Sequence, residues 1–411
     1  MPSVAIIGGG IVGRCCGYFL QRQGMDVTVL DNDPELNAAS WNNAGHIATE
    51  QVTPLASFAA IKSAPKRLFR VGGALDFDFS TPGIGGWIWR YLKASTPGNF
   101  AKGKAALTEL VIDAATHWQA LAAELNSAQP QYQQQGHWVL WESPKSSEKS
   151  RAAWQGADIG KATFTDLEAS QLSHIEQQLS EPMHAGIAFS GTGQIIRHKT
   201  LAAELKAAFI AAGGRWRELA VGKLRLREGR AVIDGFESFD QILVCGGAAS
   251  AKVLADIHPG VPLLAERGYH IEADWDPARW PAELPPVVFE DRSLIVTRFE
   301  NRLRACSFVE LSSLDAKPDP RKWQQLLRHS AELGLPLTDN ISQWHGARPT
   351  LPDYLPAMGQ SDKANNLYYA FGHQHLGLTL APVTGKLMAQ LMGDKKLSQS
   401  LTAFSLSRFG C

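Results

Sequence analysis

The sequence has little of what marks nucleic-acid-binding, membrane-spanning or metal-binding proteins. Its 411 residues include 40 basic and 40 acidic side chains, so the broad basic excess typical of nucleic-acid binders is missing. No apolar run approaches the ~18 residues that a membrane helix needs. The five cysteines form no CxxC pair and no zinc spacing. We expect a cytoplasmic protein with reduced thiols, no metal site and no nucleic-acid partner.

The start of the chain is typical of a dinucleotide-binding unit. A buried strand is predicted over Ser3–Ile7. A signal peptide is not expected, because the apolar residues Val4–Ile7 run directly into glycines. The stretch Gly8–Gly13 fits the G-x-G-x-x-G pattern, and helical spacing continues over Ile11–Gln23. A second strand is predicted over Met25–Leu30, and Asp31 stands at its end.

Each part of this unit has a physical reason. Gly8 permits a tight turn, Gly10 lets the backbone approach a pyrophosphate, and Gly13 lets the helix pack close to the strand. The helix N-terminus stabilises phosphate charge. Asp31 can accept hydrogen bonds from a ribose and would repel the extra phosphate of NADP. The alternative is a glycine-rich turn without a ligand, and the motif alone does not separate FAD from NAD.

Other segments predict elements with less specific chemistry. A long amphipathic helix is predicted over 102–125, two further helices over 165–179 and 320–333, and a strand hairpin over 294–309. Another predicted strand runs into glycines within 239–250, and a strand, a turn and a helix are predicted over 367–391. Nucleotide-type elements thus occur at the start, middle and end of the chain, which favours two interleaved domains.

Seven motifs along the chain resemble the D-amino-acid-oxidase superfamily of FAD enzymes. They are VAIIGGGIVG at the start, the SWNNAGHI loop, GTGQI at 191–195, DQILVCGGAAS, RGYH at 267–270, WHGARPTLPDYLPAMG at 344–359 and GHQHLGLTLAPVTGKLMAQL at 372–391. The sequence is most similar to bacterial D-amino acid dehydrogenases, including the D-hydroxyproline type. Glycine oxidase and pipecolate oxidase are near relatives.

This resemblance implies an α/β fold with a Rossmann-type FAD-binding domain. An α+β substrate domain, built on a mixed or antiparallel sheet, would be interleaved with it. The predicted FAD-binding segments are 1–80, 185–260 and 340–411, and the predicted substrate-binding segments are 81–184 and 261–339. The implied cofactor is non-covalent FAD, because Asn42 stands where covalent relatives carry a histidine.

Five residues are predicted to act on the substrate. Arg348 in the G-x-R-P motif would hold a carboxylate through its planar fork, with an ion pair to Asp353 as the alternative. His46 lies in the loop that the family brings near the flavin, and an ordinary loop histidine is an equal alternative. Only one of Tyr269 and His270 can face a ligand if both lie on one strand. The remaining residue is His375.

The resemblance also implies a set of cofactor-binding residues. The start of the C-terminal helix would stabilise negative charge on the reduced flavin. The predicted set is Gly8, Gly10, Ile11, Val12, Gly13, Asp31, Asn32, Ser40, Asn43, Ala44, Gly45, His46, Val221, Gly246, Gly247, Arg348, Gly372, His375, Leu376, Gly377, Leu378 and Thr379.

The expected activity is oxidation of a D-amino acid or a proline-like cyclic imino acid by hydride transfer from Cα to flavin N5. The acceptor would be a quinone or another carrier. Three alternatives stay open: an oxidase that releases hydrogen peroxide, an enzyme for glycine, sarcosine or pipecolate, and a flavin subunit of a larger dehydrogenase. We expect no integral membrane segment. Peripheral contact with the inner face of a bacterial membrane and formation of an oligomer stay open.

Overall fold

The computed structural model describes residues 1–125, 127, 131–236 and 238–411. The strands of these residues are β1 Ser3–Ile7, β2 Asp26–Asp31, β3 His46–Ile47, β4 Leu75–Phe77, β5 Tyr132–Gln133, β6 His137–Trp141, β7 Thr163–Asp166, β8 Ala185–Ser190, β9 Gly193–Ile195, β10 Arg215–Glu218, β11 Leu224–Arg227, β12 Arg230–Ile233, β13 Gln241–Val244, β14 Leu264–Asp274, β15 Val287–Phe289, β16 Leu294–Arg298, β17 Arg302–Ser312, β18 Ser342–Thr350, β19 Ala357–Gln360 and β20 Leu367–Phe371. The α-helices are α1 Ile11–Arg22, α2 Phe58–Arg67, α3 Ile84–Ala94, α4 Pro97–Val111, α5 Ala114–Leu125, α6 Pro144–Gln155, α7 Ala169–Glu176, α8 His198–Ala211, α9 Ser250–Val253, α10 Pro320–Leu333 and α11 Gly377–Met392.

A six-stranded sheet joins strands from the first, middle and last parts of the chain in the order β10-β2-β1-β13-β20-β19. All its neighbours pair parallel except β19 with β20. Ile7 at the end of β1 pairs with Leu30 on one side and Val244 on the other. The carboxyl ends of three strands therefore lie at one edge, where open α/β sheets bind their ligands. Helices α1 and α11 pack against each other beside this sheet.

A nine-stranded sheet lies beside the first one. Its order is β18-β14-β17-β16-β15-β6-β8-β7, and β4 pairs with β17. Most pairs are antiparallel, while β15 with β6 and β17 with β4 are parallel. The α/β class with a mixed second sheet is thus confirmed. Two small sheets, β3-β9-β5 and β11-β12, complete the described strands.

Two segments differ from the predicted elements. The helix predicted over 102–125 is divided between α4 and α5, with a turn at residues 112–113. The apolar spacing continues across this turn, which is why periodicity alone predicts one helix. In the stretch 165–179, β7 ends at Asp166 and α7 covers only Ala169–Glu176.

The division into two domains stays a prediction. Strand β8 at the start of segment 185–260 and strand β18 at the start of segment 340–411 pair within the nine-stranded sheet. Among the described residues, no helix is both long enough and apolar enough to cross a membrane.

Candidate active site

The turn between β1 and α1 brings the motif glycines against neighbouring backbone. Gly8 has a φ of +105°, and a Cβ atom there would lie 2.5 Å from the carbonyl oxygen of Cys245. A Cβ atom on Gly13 would lie 1.9 Å from the carbonyl oxygen of Gly8. Only glycine therefore allows this approach of helix and strand. The Ile11 amide donates to Ser40 Oγ at 3.1 Å, so Ser40 stabilises the turn itself.

Two charged residues hold the glycine turn from either side. Asp31 Oδ1 accepts a hydrogen bond from the Gly9 amide at 2.9 Å. Arg14 is buried, donates from Nε to the Gly9 carbonyl at 2.7 Å, and lies against the rings of Trp41 and Trp216. Burial lowers the pKa of Arg14 to about 10. Sequence reasoning missed Arg14, although a charge inside the apolar stretch of α1 was an available signal.

A continuous cavity of about 1180 Å³ extends from the glycine turn to Arg348. This volume exceeds the roughly 300–1,000 Å³ typical of small-ligand pockets, so the cavity has room for a large cofactor and a substrate. Most predicted site residues line it: Gly8, Gly10, Ile11, Val12, Asp31, Asn32, Ser40, Asn43, Ala44, His46, Val221, Gly246, Gly247, Tyr269, His270, Arg348, His375, Gly377 and Leu378.

The other predicted cofactor residues lie behind the cavity wall. They are Gly13, Gly45, Gly372, Leu376 and Thr379. Thr379 in the first turn of α11 is fully buried, and its Oγ1 accepts a hydrogen bond from the Ala48 amide at 2.9 Å. This contact ties α11 to the loop that follows β3, so Thr379 supports the wall from behind.

Arg348 on β18 reaches the cavity with part of its guanidinium held by the protein. Its Nη1 donates to Glu266 Oε1 and to the carbonyl oxygen of Phe308, each at 3.1 Å. No hydrogen bond among the described residues uses Nη2. A Cβ atom on Gly268 would lie 2.4 Å from Nη2, so this glycine makes room for the guanidinium. Arg348 therefore keeps donors for a carboxylate.

The partner of Arg348 differs from the alternative predicted from sequence. Asp353 pairs with Arg408 at 2.7 Å instead. Glu266 is 1% exposed, and its Oε2 accepts hydrogen bonds from the Tyr354 hydroxyl at 2.9 Å and from Thr350 Oγ1 at 3.3 Å. Both carboxylate oxygens of Glu266 are thus engaged, so its position, and with it that of the arginine, is well defined. Sequence reasoning missed Glu266.

Strand β17 carries a bulge beside Arg348. The register of β14 with β17 shifts between Arg267 and Tyr269, and Phe308 opposite has a φ of +75°. Positive φ is costly for an aromatic residue, and such strain is concentrated at functional sites. The bulge turns the Phe308 carbonyl toward Nη1 of Arg348 and so orients the guanidinium.

Neighbouring side chains of β14 point to opposite faces. The Tyr269 hydroxyl donates to Glu310 Oε2 at 2.7 Å, and burial raises the pKa of Tyr269. His270 shares a 3.0 Å hydrogen bond between its Nδ1 and the Asn42 carbonyl, and its ring stacks on Trp344. The face that carries His270 also carries Glu266. Tyr269 therefore touches the cavity without presenting its hydroxyl on the side of Arg348, which departs from the predicted contact with substrate.

His46 belongs to a buried cluster with Glu50 and His137. His46 Nε2 lies 3.0 Å from Glu50 Oε1. Burial alone would raise the pKa of Glu50, but the neighbouring His46 lowers it to about 2. Burial lowers the pKa of His137 to about 3. No hydrogen bond reaches His46 Nδ1 from the described residues, so this nitrogen remains available to a ligand.

The cluster bears on the expectation of no metal. One ligand-type atom from each of the three side chains lies within 4.8 Å of the other two. The prediction of no metal site considered only ligands at short spacing in the sequence. It therefore could not exclude a cluster that joins residues 46 and 137. His46 Nε2 and Glu50 Oε1 partner each other at 3.0 Å, whereas His46 Nδ1 and Glu50 Oε2 are buried and have no hydrogen-bond partner among the described residues.

Two further histidines lie at the start of α11. Burial lowers the pKa of His375 to about 4, so its ring is neutral at pH 7. Its Nδ1 is buried and receives no hydrogen bond from the described residues. His373 shares a 3.0 Å hydrogen bond between its Nε2 and Thr384 Oγ1, which ties the turn after β20 to α11.

The cavity residues fit a flavin dinucleotide. The glycine turn and Asp31 lie at one end, the N-termini of both α1 and α11 border the cavity, and Arg348 lies at the other end. Two glycine positions, Gly8 and Gly13, leave no room for a Cβ atom beside the turn. A dinucleotide cradle that shares its cavity with an arginine whose Nη2 has no partner among the described residues is typical of a dinucleotide-dependent oxidoreductase.

Comparison with known proteins defines the family and the cofactor. The chain belongs to the DAO family, whose model, described as FAD dependent oxidoreductase, matches residues 3–391. FAD is therefore the cofactor. A D-amino-acid oxidase of Bradyrhizobium diazoefficiens is 28% identical over 419 residues, which cover 99% of this chain and 98% of the relative.

Two solved structures share the fold. A glycine oxidase from Geobacillus kaustophilus has a TM-score of 0.74 at 21% identity and covers 99% of both chains. An iminodiacetate oxidase from a Chelativorans species has a TM-score of 0.71 at 21% identity and covers 98% of both chains. The predicted superfamily, the fold class and FAD are thus confirmed, and the chain is an FAD-dependent oxidoreductase.

Proposed function

We propose that this chain oxidises the Cα–N bond of a D-amino acid or a proline-like cyclic imino acid. In this proposal, the electrons pass to a quinone or another carrier. The observation that carries the proposal is the position of Arg348, whose Nη2 receives no partner from the described residues in the cavity that starts at the glycine turn. A cation with unused donors beside a flavin site suits the carboxylate of an amino acid.

The chain's own residues would divide the work along the cavity. Gly8, Gly10 and Asp31 would hold the dinucleotide end, and the backbone at Gly377 would border the flavin. FAD, when bound, supplies the acceptor for the hydride. The α11 N-terminus would stabilise negative charge at that end of the cofactor.

Arg348 would fix the carboxylate, and Glu266 would keep the guanidinium in place. Fixing the carboxylate restricts the orientations that the Cα–H bond can take in the cavity, and such positioning supplies much of the rate. The substrate reacts as the neutral amine. We assign acceptance of the ammonium proton to His46 at Nδ1, because Nε2 is already engaged by Glu50.

The wall near Arg348 favours an apolar or cyclic substrate over glycine. Trp87, Tyr91, Phe308 and Tyr354 all line the cavity. The rings of Trp87, Tyr91 and Tyr354 contact one another, with centroids 5.6 to 6.4 Å apart. Rigid aromatic surfaces bind the carbon skeleton of a ring or chain by burial of apolar area, and a glycine has none to bury.

Oxygen is the second candidate for the electron acceptor. The Bradyrhizobium relative is named an oxidase, and so are both solved structures. In that case hydrogen peroxide would leave the enzyme at the rate of substrate oxidation. A flavin subunit that is inactive without partner proteins would show neither activity.

The test is anaerobic bleaching of the flavin absorbance. We expect D-proline and D-hydroxyproline to bleach the isolated holoenzyme, with L-proline, glycine and sarcosine as controls. If glycine or sarcosine bleaches the flavin and the two D-imino acids do not, the proposed substrate class is wrong and the enzyme acts on the smaller amines. No bleaching by any amine would overturn the proposal. Subsequent turnover with a soluble quinone, compared with peroxide release in air, identifies the acceptor.

A further inference from the structure

The opening of the cavity is surrounded by exposed apolar side chains. We call this set the apolar rim, and its members are between 44% and 75% exposed: Leu55, Phe58, Val71, Phe79, Trp89, Leu92 and Leu314. Four of them, Leu55, Phe79, Leu92 and Leu314, also line the cavity, so they mark its mouth. Other large apolar side chains with such exposure, among them Ile210, lie elsewhere on the described surface.

Two short helices present this rim. Residues Ala60, Ile61 and Ala64 of α2 line the cavity, while Phe58 points outward and is 70% exposed. No residue of α2 is fully buried. On α3, Trp87 is buried whereas Trp89 is 62% exposed. A protein that stays monomeric in water rarely keeps such a patch without a function for it.

The charge around the rim has one sign. Segment 55–94 contains six basic side chains and two acidic ones, whereas the whole chain has 40 of each. Both acids are engaged within the protein: Asp76 accepts from Lys322 at 2.8 Å, and Asp78 accepts from Ser312 at 2.9 Å. The basic residues Lys62, Lys66, Arg67, Arg70 and Lys93 are exposed. The acidic exception beside the rim is Asp315, next to Leu314.

We infer that the apolar rim and these basic side chains form a docking surface for an anionic lipid bilayer. Apolar side chains with a tryptophan, flanked by lysines and arginines, are the composition of helices that lie in a membrane interface. Lys93 Nζ lies 5.6 Å from the centre of the Trp89 ring, an arrangement suited to the headgroup level. A bilayer at this place would face the cavity mouth, so a lipid-soluble acceptor could enter directly. This last consequence rests on the proposed function, whereas the docking itself does not.

The experiment is cosedimentation of the holoenzyme with vesicles of phosphatidylcholine alone and of phosphatidylcholine with phosphatidylglycerol. We expect binding to the anionic vesicles, weakened by salt. The variant Lys62→Glu/Lys66→Glu should bind at least about 25-fold less tightly, since each of the two basic side chains contributes about a factor of five. The matched control is Lys145→Glu/Lys149→Glu, the same spacing on the exposed face of α6, and it should bind like the wild type.

A second pair of variants tests how much the apolar rim contributes to vesicle binding. Phe58→Ser should lower vesicle binding about tenfold, and Ile210→Ser on α8 should not. Flavin content and activity with a soluble dye are expected to stay unchanged in all four variants, which separates docking from catalysis. Absence of wild-type binding to anionic vesicles at low salt overturns the inference. So does a dimer that Phe58→Ser dissociates without any vesicle binding, because the rim would then cover a second copy of the chain.

Discussion

Replacing Arg348 by lysine tests the proposed carboxylate contact most directly. Lysine keeps the positive charge that pairs with Glu266, but it has one nitrogen where arginine has a fork. The arginine already spends Nη1 on Glu266 and on the Phe308 carbonyl, both at 3.1 Å. A single ammonium cannot serve these partners and also make two parallel hydrogen bonds to a substrate.

The magnitude follows from the bond that is lost. A hydrogen bond to a charged group contributes about 1.5–3 kcal/mol, which corresponds to roughly 10- to 150-fold in kcat/KM. We expect most of the loss in KM, because the carboxylate does not change charge during the reaction. Arg348→Met should do more. It leaves Glu266, which is 1% exposed, without its cation, and we expect a cost of about 3–5 kcal/mol in the free energy of unfolding.

The assay is steady-state kinetics with a soluble dye, together with the flavin content and the urea midpoint of each variant. Arg292→Lys is the control, because Arg292 makes a two-pronged contact of 2.7 Å with Glu142 outside the cavity. It should change stability and leave KM alone. An Arg348→Lys enzyme with full flavin content and wild-type KM would refute the reasoning, as would an equal rise in KM for Arg292→Lys.

Three further predictions concern the cofactor turn, the pair of His46 with Glu50, and acid stability. Gly13→Ala should abolish flavin retention, because the new Cβ atom would lie 1.9 Å from the Gly8 carbonyl; Gly98→Ala, with open space around it, should retain flavin, and a colourless control would contradict the steric cause. Glu50→Gln should lower kcat/KM and leave the flavin content unchanged, because a neutral amide replaces the carboxylate that holds His46 Nε2 at 3.0 Å; an unchanged kcat/KM would contradict the proposed proton acceptance. Burial lowers the pKa values of four histidines to about 3 or 4: His137, His198, His373 and His375. In the unfolded chain these histidines take up a proton near pH 6.5, whereas in the folded chain they stay neutral down to about pH 4. The free energy of unfolding is therefore highest above pH 6.5. It falls between pH 6.5 and pH 4 by up to about 1.4 kcal/mol per histidine and pH unit. Urea midpoints that stay constant between pH 7 and pH 5 would contradict this.

The elements that sequence reasoning found are those specified by neighbouring residues. The glycine motif between β1 and α1 is one case. Helix α10 is another, since it covers Pro320–Leu333 as predicted. Asp319 caps it by accepting a hydrogen bond from the Arg321 amide, and Gly334 ends it with a φ of +72°. Caps and breakers act within one turn of the helix, so a single sequence contains them in full.

The contacts that sequence reasoning missed join distant segments. His137 on β6 contacts His46 on β3, with ring centres 4.7 Å apart. Glu266 reaches Arg348 because β14 and β18 pair in a register that places these two residues opposite each other. The register is a property of the whole sheet, since a shift of one residue moves every side chain to the other face. Neither composition nor periodicity within β18 specifies it.

The RGYH motif on β14 illustrates how far local reasoning could have gone. The sequence singles out Tyr269 and His270 in this motif as candidates to face the substrate. Once His270 faces the cavity, alternation places Gly268 and Glu266 on the same face. The first gives space for the guanidinium, with a would-be Cβ atom 2.4 Å from Nη2, and the second gives it a counter-charge. On a strand beside a binding site, a glycine or a buried acid two residues away from a histidine therefore carries as much information as the histidine itself.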